Sequence, residues 1–184
     1  KIMVIGDVVA DVYLEGKISR ISREAPVLVL EHAGETVVPG GAANVIHNAA
    51  TLGGAVYAVG VIGNDDAGRR LAETLEARRV QTAGLIVDAA RPTITKTRVM
   101  AGGLATVRQQ VVRIDRESKK AVDAEISRRL VEYAAAHLGD MSAVIMSDYG
   151  SGTISPELRQ LVIAACREKR IPCIVDSRYD ILAF

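Results

Sequence analysis

Short apolar runs alternate along this chain with stretches whose apolar residues recur every three or four positions. Ile2–Ile5, Val56–Val59, Ala143–Ser147 and Ile174–Asp176 read as short strands. The Asp65-Asp66 pair is placed to cap a helix running to about Arg78, with Ala67, Leu71 and Leu75 on its inner face. A second helix is predicted from Asp123 to about Leu138, where Ile126, Leu130, Tyr133 and Ala134 share one side. Ser155 reads as an N-cap with Pro156 at the first helical position, ahead of a stripe of Leu158, Leu161, Val162 and Ala165. This β-α-β-α rhythm predicts an α/β fold, a Rossmann-like and mostly parallel sheet flanked by helices.

Two segments depart from that rhythm. Val27–Leu30 and Glu35–Val38 flank Ala33-Gly34 and read as a hairpin. Thr93–Met100 and Val107–Ile114 flank Gly102-Gly103 and read as another. A parallel core has no need of antiparallel hairpins, so together they predict a small antiparallel sheet acting as a lid. Strand alternation puts Ile94, Lys96 and Arg98 on one face. Two readings of these cations stay open: a solvated strand face, or a basic patch aimed at a phosphate group.

Pro39-Gly40-Gly41-Ala42-Ala43-Asn44 opens a third kind of pattern. A Gly-Gly pair allows positive φ and close approach of another molecule. Behind it, Asn44, His47, Asn48 and Thr51 fall on one helical face, with Val45, Ile46, Ala49, Ala50 and Leu52 opposite. A helix start with an amide side chain and unpaired backbone N–H groups suits a polar or anionic small molecule. The other reading is a tightly packed strand-to-helix turn.

Acids stand at the carboxyl ends of three predicted strands: Asp7 with Asp11, Asp148, and Asp176. Ligands bind at that edge of open α/β sheets, so these residues are either caps and turn formers or holders of hydroxyl groups and Mg²⁺. No G-x-G-x-x-G follows the first strand and no Walker A loop occurs, which disfavours a dinucleotide fold and a P-loop.

Composition narrows the partners. Lys and Arg number 23 against 22 Asp and Glu, a net charge of +1 with both signs mixed along the chain. With one Phe, no Trp and no basic stripe, nucleic-acid binding is not expected. Cys166 and Cys173 form neither a Cys-x-x-Cys nor a Cys/His cluster, so free thiols in a reducing compartment are expected. The run Ile2–Ile5 is too short for a signal peptide or a span, pointing to a cytoplasmic protein without a membrane partner. Lys1 stands directly on a strand, as if the native N-terminus had been trimmed.

Several strings together resemble the N-terminal portion of a ribokinase-type (PfkB family) carbohydrate kinase. They are Gly6-Asp7 with Asp11, Pro39 to Asn44, Leu52-Gly53, and Gly60-Val61-Ile62-Gly63-Asn64-Asp65-Asp66-Ala67-Gly68, in the family's order and spacing. Within the family the chain is similar to the heptose-7-phosphate kinase branch. That likeness rests on Gly16 with Arg20 to Val27, on Thr93 to Val99, on Gln109 to Asp115, and on Ser147-Asp148-Tyr149.

The resemblance implies an ATP- and Mg²⁺-dependent kinase acting on the anomeric hydroxyl of a heptose 7-phosphate, in nucleotide-heptose and lipopolysaccharide precursor synthesis. Residues 1–184 would be the N-terminal portion of one kinase domain, with lid segments at about 12–38 and 93–114 and a homodimer contact through the lid. Asp11, Gly40, Gly41 and Asn44 would hold sugar hydroxyls, Lys96 and Arg98 the substrate's phosphate. Asp148 and Asp176 are candidates for the Mg²⁺ or phosphate side. The family's catalytic Asp, in a Gly-Ala-Gly-Asp motif, and its Asn-x-x-Glu element have no match here. Both are expected beyond Phe184, so the C-terminal part of the fold is expected to be missing and this chain alone inactive.

Some positions depart from the branch. Ser151 stands in place of Lys, Asp176-Ser177-Arg178 in place of Asp-Pro-Lys, and extra residues occupy the second hairpin around Gly102–Thr106. A kinase for ribose, fructose or a keto-deoxy sugar acid is therefore the alternative, as is a non-catalytic sugar-binding fragment.

Overall fold

A computed structural model describes residues 1–102, 107–118 and 120–184. The first apolar run is strand β1 (Ile2–Gly6), the centre of a five-stranded sheet. Beside it lie β4 (Val56–Gly63) and β8 (Ala143–Asp148), and outside them β5 (Gln81–Asp88) and β9 (Cys173–Ser177). The order is β5-β4-β1-β8-β9 and every pairing is parallel. A parallel sheet needs apolar side chains on both faces because helices cover both. Here Met3 and Ile5 join a cluster with Ile126, Leu130, Leu158 and Val162. Val4 joins a separate cluster with Ala42, Ile46, Leu71 and Leu75.

The four helices supply those residues. On one side lie α3 (Ala124–Leu138) and α4 (Pro156–Lys169), on the other α1 (Ala42–Thr51) and α2 (Asp66–Glu76). The caps predicted for α2 and α4 are present, and Asp123, the predicted start of α3, proves to be its N-cap. Asp65 accepts from Gly68 N, Asp123 from Glu125 N, and Ser155 from Leu158 N. Cys166 is buried and Cys173 half-buried, and both are free thiols. Burial and the neighbouring Cys173 push the Cys166 thiol up to about 11. Among the described residues no helix is long and apolar enough to cross a membrane.

A second sheet grows from the carboxyl edge of the first. Its strands are β2 (Val8–Ile21), β3 (Leu28–Gly41), β6 (Ile94–Gly102) and β7 (Gln109–Arg116), in the order β3-β2-β6-β7. A single residue, Asp7, separates β1 from β2, and β3 runs directly into α1. The sheet is mixed rather than purely antiparallel: β2–β3 and β6–β7 are antiparallel, while β2 and β6 run parallel.

The sequence reading of the first hairpin is corrected. Val27–Leu30 and Glu35–Val38 do not pair across Ala33-Gly34; both belong to β3, which pairs with the long β2. The turn lies instead between Ile21 and Leu28, closed by Ser22 N donating to Val27 O at 2.8 Å. Gly34 sits opposite Glu15 and His32 opposite Gly16, so Ala33 is the extra residue of a β-bulge. An interior strand glycine marks such a bulge as readily as a turn. The second hairpin is present, paired from Thr95↔Arg116 to Ala101↔Gln109. Its predicted turn at Gly102-Gly103 and the extra residues up to Thr106 extend beyond the described residues. Strand β5 is an addition, its first half polar and partly exposed, which hid it from a search for apolar runs.

Candidate sugar and phosphate site

Register fixes what shares a face on the second sheet. Asp11 lies opposite Lys96, and Tyr13 opposite Arg98, with Asp115 and Arg113 next in line on β7. Cross-strand partners project to the same side, so three acids and cations of β2 and β6 meet there. Arg98 Nη1 donates to Asp11 Oδ1 at 2.7 Å, and both side chains are 22% exposed. The Arg98 guanidinium also sits over the Tyr13 ring, 5.3 Å from its centroid. The Asp11 hydrogen bond raises Arg98 above its already basic ordinary value, against the opposing effect of burial.

Gly40 completes this corner. A Cβ there would lie 2.5 Å from Asp11 Oδ2, so the missing side chain is what lets the carboxylate lie across β3. Gly41 has a different need. Its φ is +54°, and a Cβ would approach Asp7 O to 2.6 Å. That carbonyl accepts from Ala42 N at 3.0 Å, so one of the first amides of α1 is already paired. The expectation of unpaired amides at this helix start is corrected to that extent. Asn44 is exposed on the first turn of α1, its side-chain oxygen accepting from Asn48 Nδ2 at 3.4 Å.

Asp7 has a role that strand-end counting does not reveal. It is fully buried, and its carboxylate accepts from the backbone N–H groups of Tyr149, Ser151 and Thr153 at 2.9, 3.0 and 3.2 Å. It therefore shapes the loop after β8 rather than facing a ligand. From that loop the Tyr149 ring meets the Lys96 ammonium, 5.9 Å from the centroid. Lys96 thus bridges the second sheet and the edge of the first.

Asp148 is spent on the same region. Oδ1 accepts from Gly150 N and Oδ2 from Ser177 Oγ, both at 2.9 Å, tying the end of β8 to β9. Asp176 is exposed, in register with Ser147. Among the described residues no three His, Cys, Asp or Glu side chains are grouped to hold a metal ion. Asp148 and Asp176 alone do not make a Mg²⁺ cage, although that ion takes part of its shell from phosphates and water.

Asp65 is a further polar centre. Beyond capping α2, it accepts from Thr93 N at 3.1 Å and Thr93 Oγ1 at 2.6 Å, and Arg116 lies at 3.5 Å. Burial works to raise this carboxyl, but the Thr93 and Gly68 hydrogen bonds and the Arg116 charge outweigh it and hold Asp65 below its ordinary value.

A three-layer α/β core with a mixed sheet at its carboxyl edge is the ribokinase-like arrangement. The family profile described as pfkB family carbohydrate kinase matches residues 1–183, and the chain belongs to that family. It is 47% identical over 178 residues to the Bifunctional protein HldE of Azorhizobium caulinodans, covering 96% of this chain and 36% of that protein. The HldE of Gluconobacter oxydans is 46% identical over 179 residues, again covering 36% of the relative. The chain thus spans about a third of the length of these relatives. Among solved structures, Arabidopsis thaliana ribokinase complexed with ribose and ATP superposes with a TM-score of 0.62 at 18% identity, covering 95% of this chain and 52% of that one. Phosphofructokinase-2 of Escherichia coli, in complex with substrates and products, gives 0.65 at 21% identity, covering 98% and 55%.

Proposed function

We propose that this chain is the sugar-binding part of an ATP-dependent kinase that phosphorylates a sugar already carrying a phosphate, most specifically the anomeric hydroxyl of a heptose 7-phosphate. The observation that carries this reading is the shared face of Asp11, Lys96 and Arg98 next to Gly40. A carboxylate accepts from sugar hydroxyls, while two cations on one rigid strand suit a phosphate dianion. The HldE names of relatives covering nearly the whole chain support the same branch. A phosphate-free sugar leaves Lys96 without an anion, and Arg98 with only Asp11.

The proposed division of labour is as follows. Asp11 and Asn44 orient the sugar, Gly40 leaves room for the Asp11 carboxylate to lie where it can do so, and the second sheet closes above to exclude water. ATP with Mg²⁺ supplies the transferred phosphoryl group and neutralises its charge. The general base for the attacking hydroxyl is expected in a Gly-Ala-Gly-Asp motif downstream of Phe184. In this reading the second sheet also forms a homodimer contact, and the protein works in the cytoplasm.

The test is the Lys96→Ala/Arg98→Ala double variant in the whole protein. The proposal expects KM for the sugar phosphate to rise by about a hundredfold or more, from two lost charge-assisted contacts, and by clearly less for any unphosphorylated substrate, which loses only the hold of Arg98 on Asp11. Equal losses on both would favour the alternative kinases for ribose, fructose or a keto-deoxy sugar acid.

A further inference from the structure

We propose that Asp65 fixes the position of the second sheet against the parallel core, which makes it a positioning residue for Lys96 and Arg98. This rests on the reading of that sheet as a lid. A plain N-cap needs one bond, and Gly68 N donates it to Oδ1 at 3.0 Å. Among the described residues, the remaining side-chain hydrogen bonds and ion pair of Asp65 go to the two ends of the β6–β7 hairpin. Thr93, the residue before β6, gives its backbone N–H to Oδ2 and its hydroxyl to Oδ1. Arg116, the last residue of β7, places Nη1 at 3.5 Å from Oδ2. Both ends of the hairpin therefore return to one carboxylate.

Thr93 is 1% exposed, and its hydroxyl is used twice: it donates to Asp65 and accepts from Gly63 N at 2.9 Å. Gly63 ends β4, so the hydroxyl links the core sheet, the helix start and the hairpin. The glycines around it leave no spare room. A Cβ on Gly63 would come within 2.5 Å of Thr93 N, and one on Gly68 within 2.6 Å of Thr93 Oγ1. Arg70 on α2 bonds to Glu35 on β3, so the same helix also holds the other edge of the sheet. Lys96 and Arg98 stand three and five residues along the strand that Thr93 begins. A shift at Thr93 is carried straight to them.

Amide hydrogen exchange on the whole protein, with no ligand added, tests the claim. Thr93→Val should speed exchange in 94–102 and 109–116 by about tenfold or more, the scale of one lost charge-assisted hydrogen bond, while β1 and β4 up to Ile62 keep their protection and Gly63, which loses its partner, does not. Thr93→Ser should restore the parent pattern. Asp65→Asn, which keeps a good cap, should still loosen the hairpin, and Arg116→Ala should loosen 109–116 alone. Acceleration spread evenly through both sheets, confined to α2, or absent would overturn the proposal. If Thr93→Val does not fold, the Asp65→Asn and Arg116→Ala patterns decide it alone. In the whole protein, Asp65→Asn should raise KM for the sugar phosphate with kcat changed less; a loss in kcat alone would also overturn it. A protein that ignores sugar phosphates would sink the substrate reading and leave the exchange result standing.

Discussion

Arg98 Nη1 and Asp11 Oδ1 lie 2.7 Å apart, joining residues 87 positions apart in sequence across the β2–β6 pairing. The pair unites the residue expected to take sugar hydroxyls with one expected to take phosphate. Each charge is held in place without a ligand, so in the proposed reading substrate recognition would begin from a preorganised corner.

The pair should be measurable in stability as well as binding. Arg98→Ala and Asp11→Ala should each cost about 1–2 kcal/mol, because each strands a partly buried charge. The double variant should lose less than the sum, with a coupling of about 1 kcal/mol. Urea unfolding of the four proteins provides the cycle, and additive losses would mean the contact contributes nothing.

The two glycines should fail differently. Gly40→Ala pushes a methyl group against the Asp11 carboxylate, so sugar binding by the whole protein should suffer far more than its melting temperature. Gly41→Ala must hold a non-glycine residue at φ +54° against the Asp7 carbonyl, costing about 1–2 kcal/mol from the backbone alone. Thermal denaturation of this chain beside sugar-binding assays of the whole protein separates the two.

Asp7 should be intolerant even of its isostere. Its two oxygens accept three N–H groups, so an Asn side chain would turn its NH₂ toward at least one of them. Asp7→Asn should cost about 2–3 kcal/mol and Asp7→Ala more, as expected for a buried charged acceptor. Faster amide exchange in residues 149–153 would accompany the loss.

Acid sensitivity should trace in part to Asp65. Its folded-state value is depressed below the ordinary 3.8, so its contribution is complete above that value and is lost as pH falls through the folded one. As pH falls from about 5 through the folded-state value the parent should lose more melting temperature than Asp65→Asn. Parallel melting curves for both proteins would show the carboxyl to be unlinked to folding.

Much of this was legible in the residues because local chemistry and tertiary structure agree. Asp65 and Ser155 cap the helices they appear to cap, since a short polar side chain before an apolar stripe has few other uses. Gly40 and Gly41 announce a crowded turn, but not that one faces Asp11 and the other Asp7. The bulge at Ala33 was misread as a turn because glycine serves both. The parallel pairing of β2 with β6 joins segments more than 80 residues apart, and no periodicity encodes it. For the same reason the Asp11–Arg98 and Lys96–Tyr149 contacts, and the loop-holding role of Asp7, emerge only once the sheets are assembled.

The most direct measurement is phosphoryl transfer from ATP by the whole protein, offered a heptose 7-phosphate beside the free heptose, ribose, fructose and a keto-deoxy sugar acid, with the 184-residue chain run in parallel. The account predicts phosphorylation of the anomeric hydroxyl of the heptose phosphate, strong preference for it over every unphosphorylated sugar, and no turnover by the 184-residue chain. Preference for a free sugar, or robust turnover by the short chain, would contradict it.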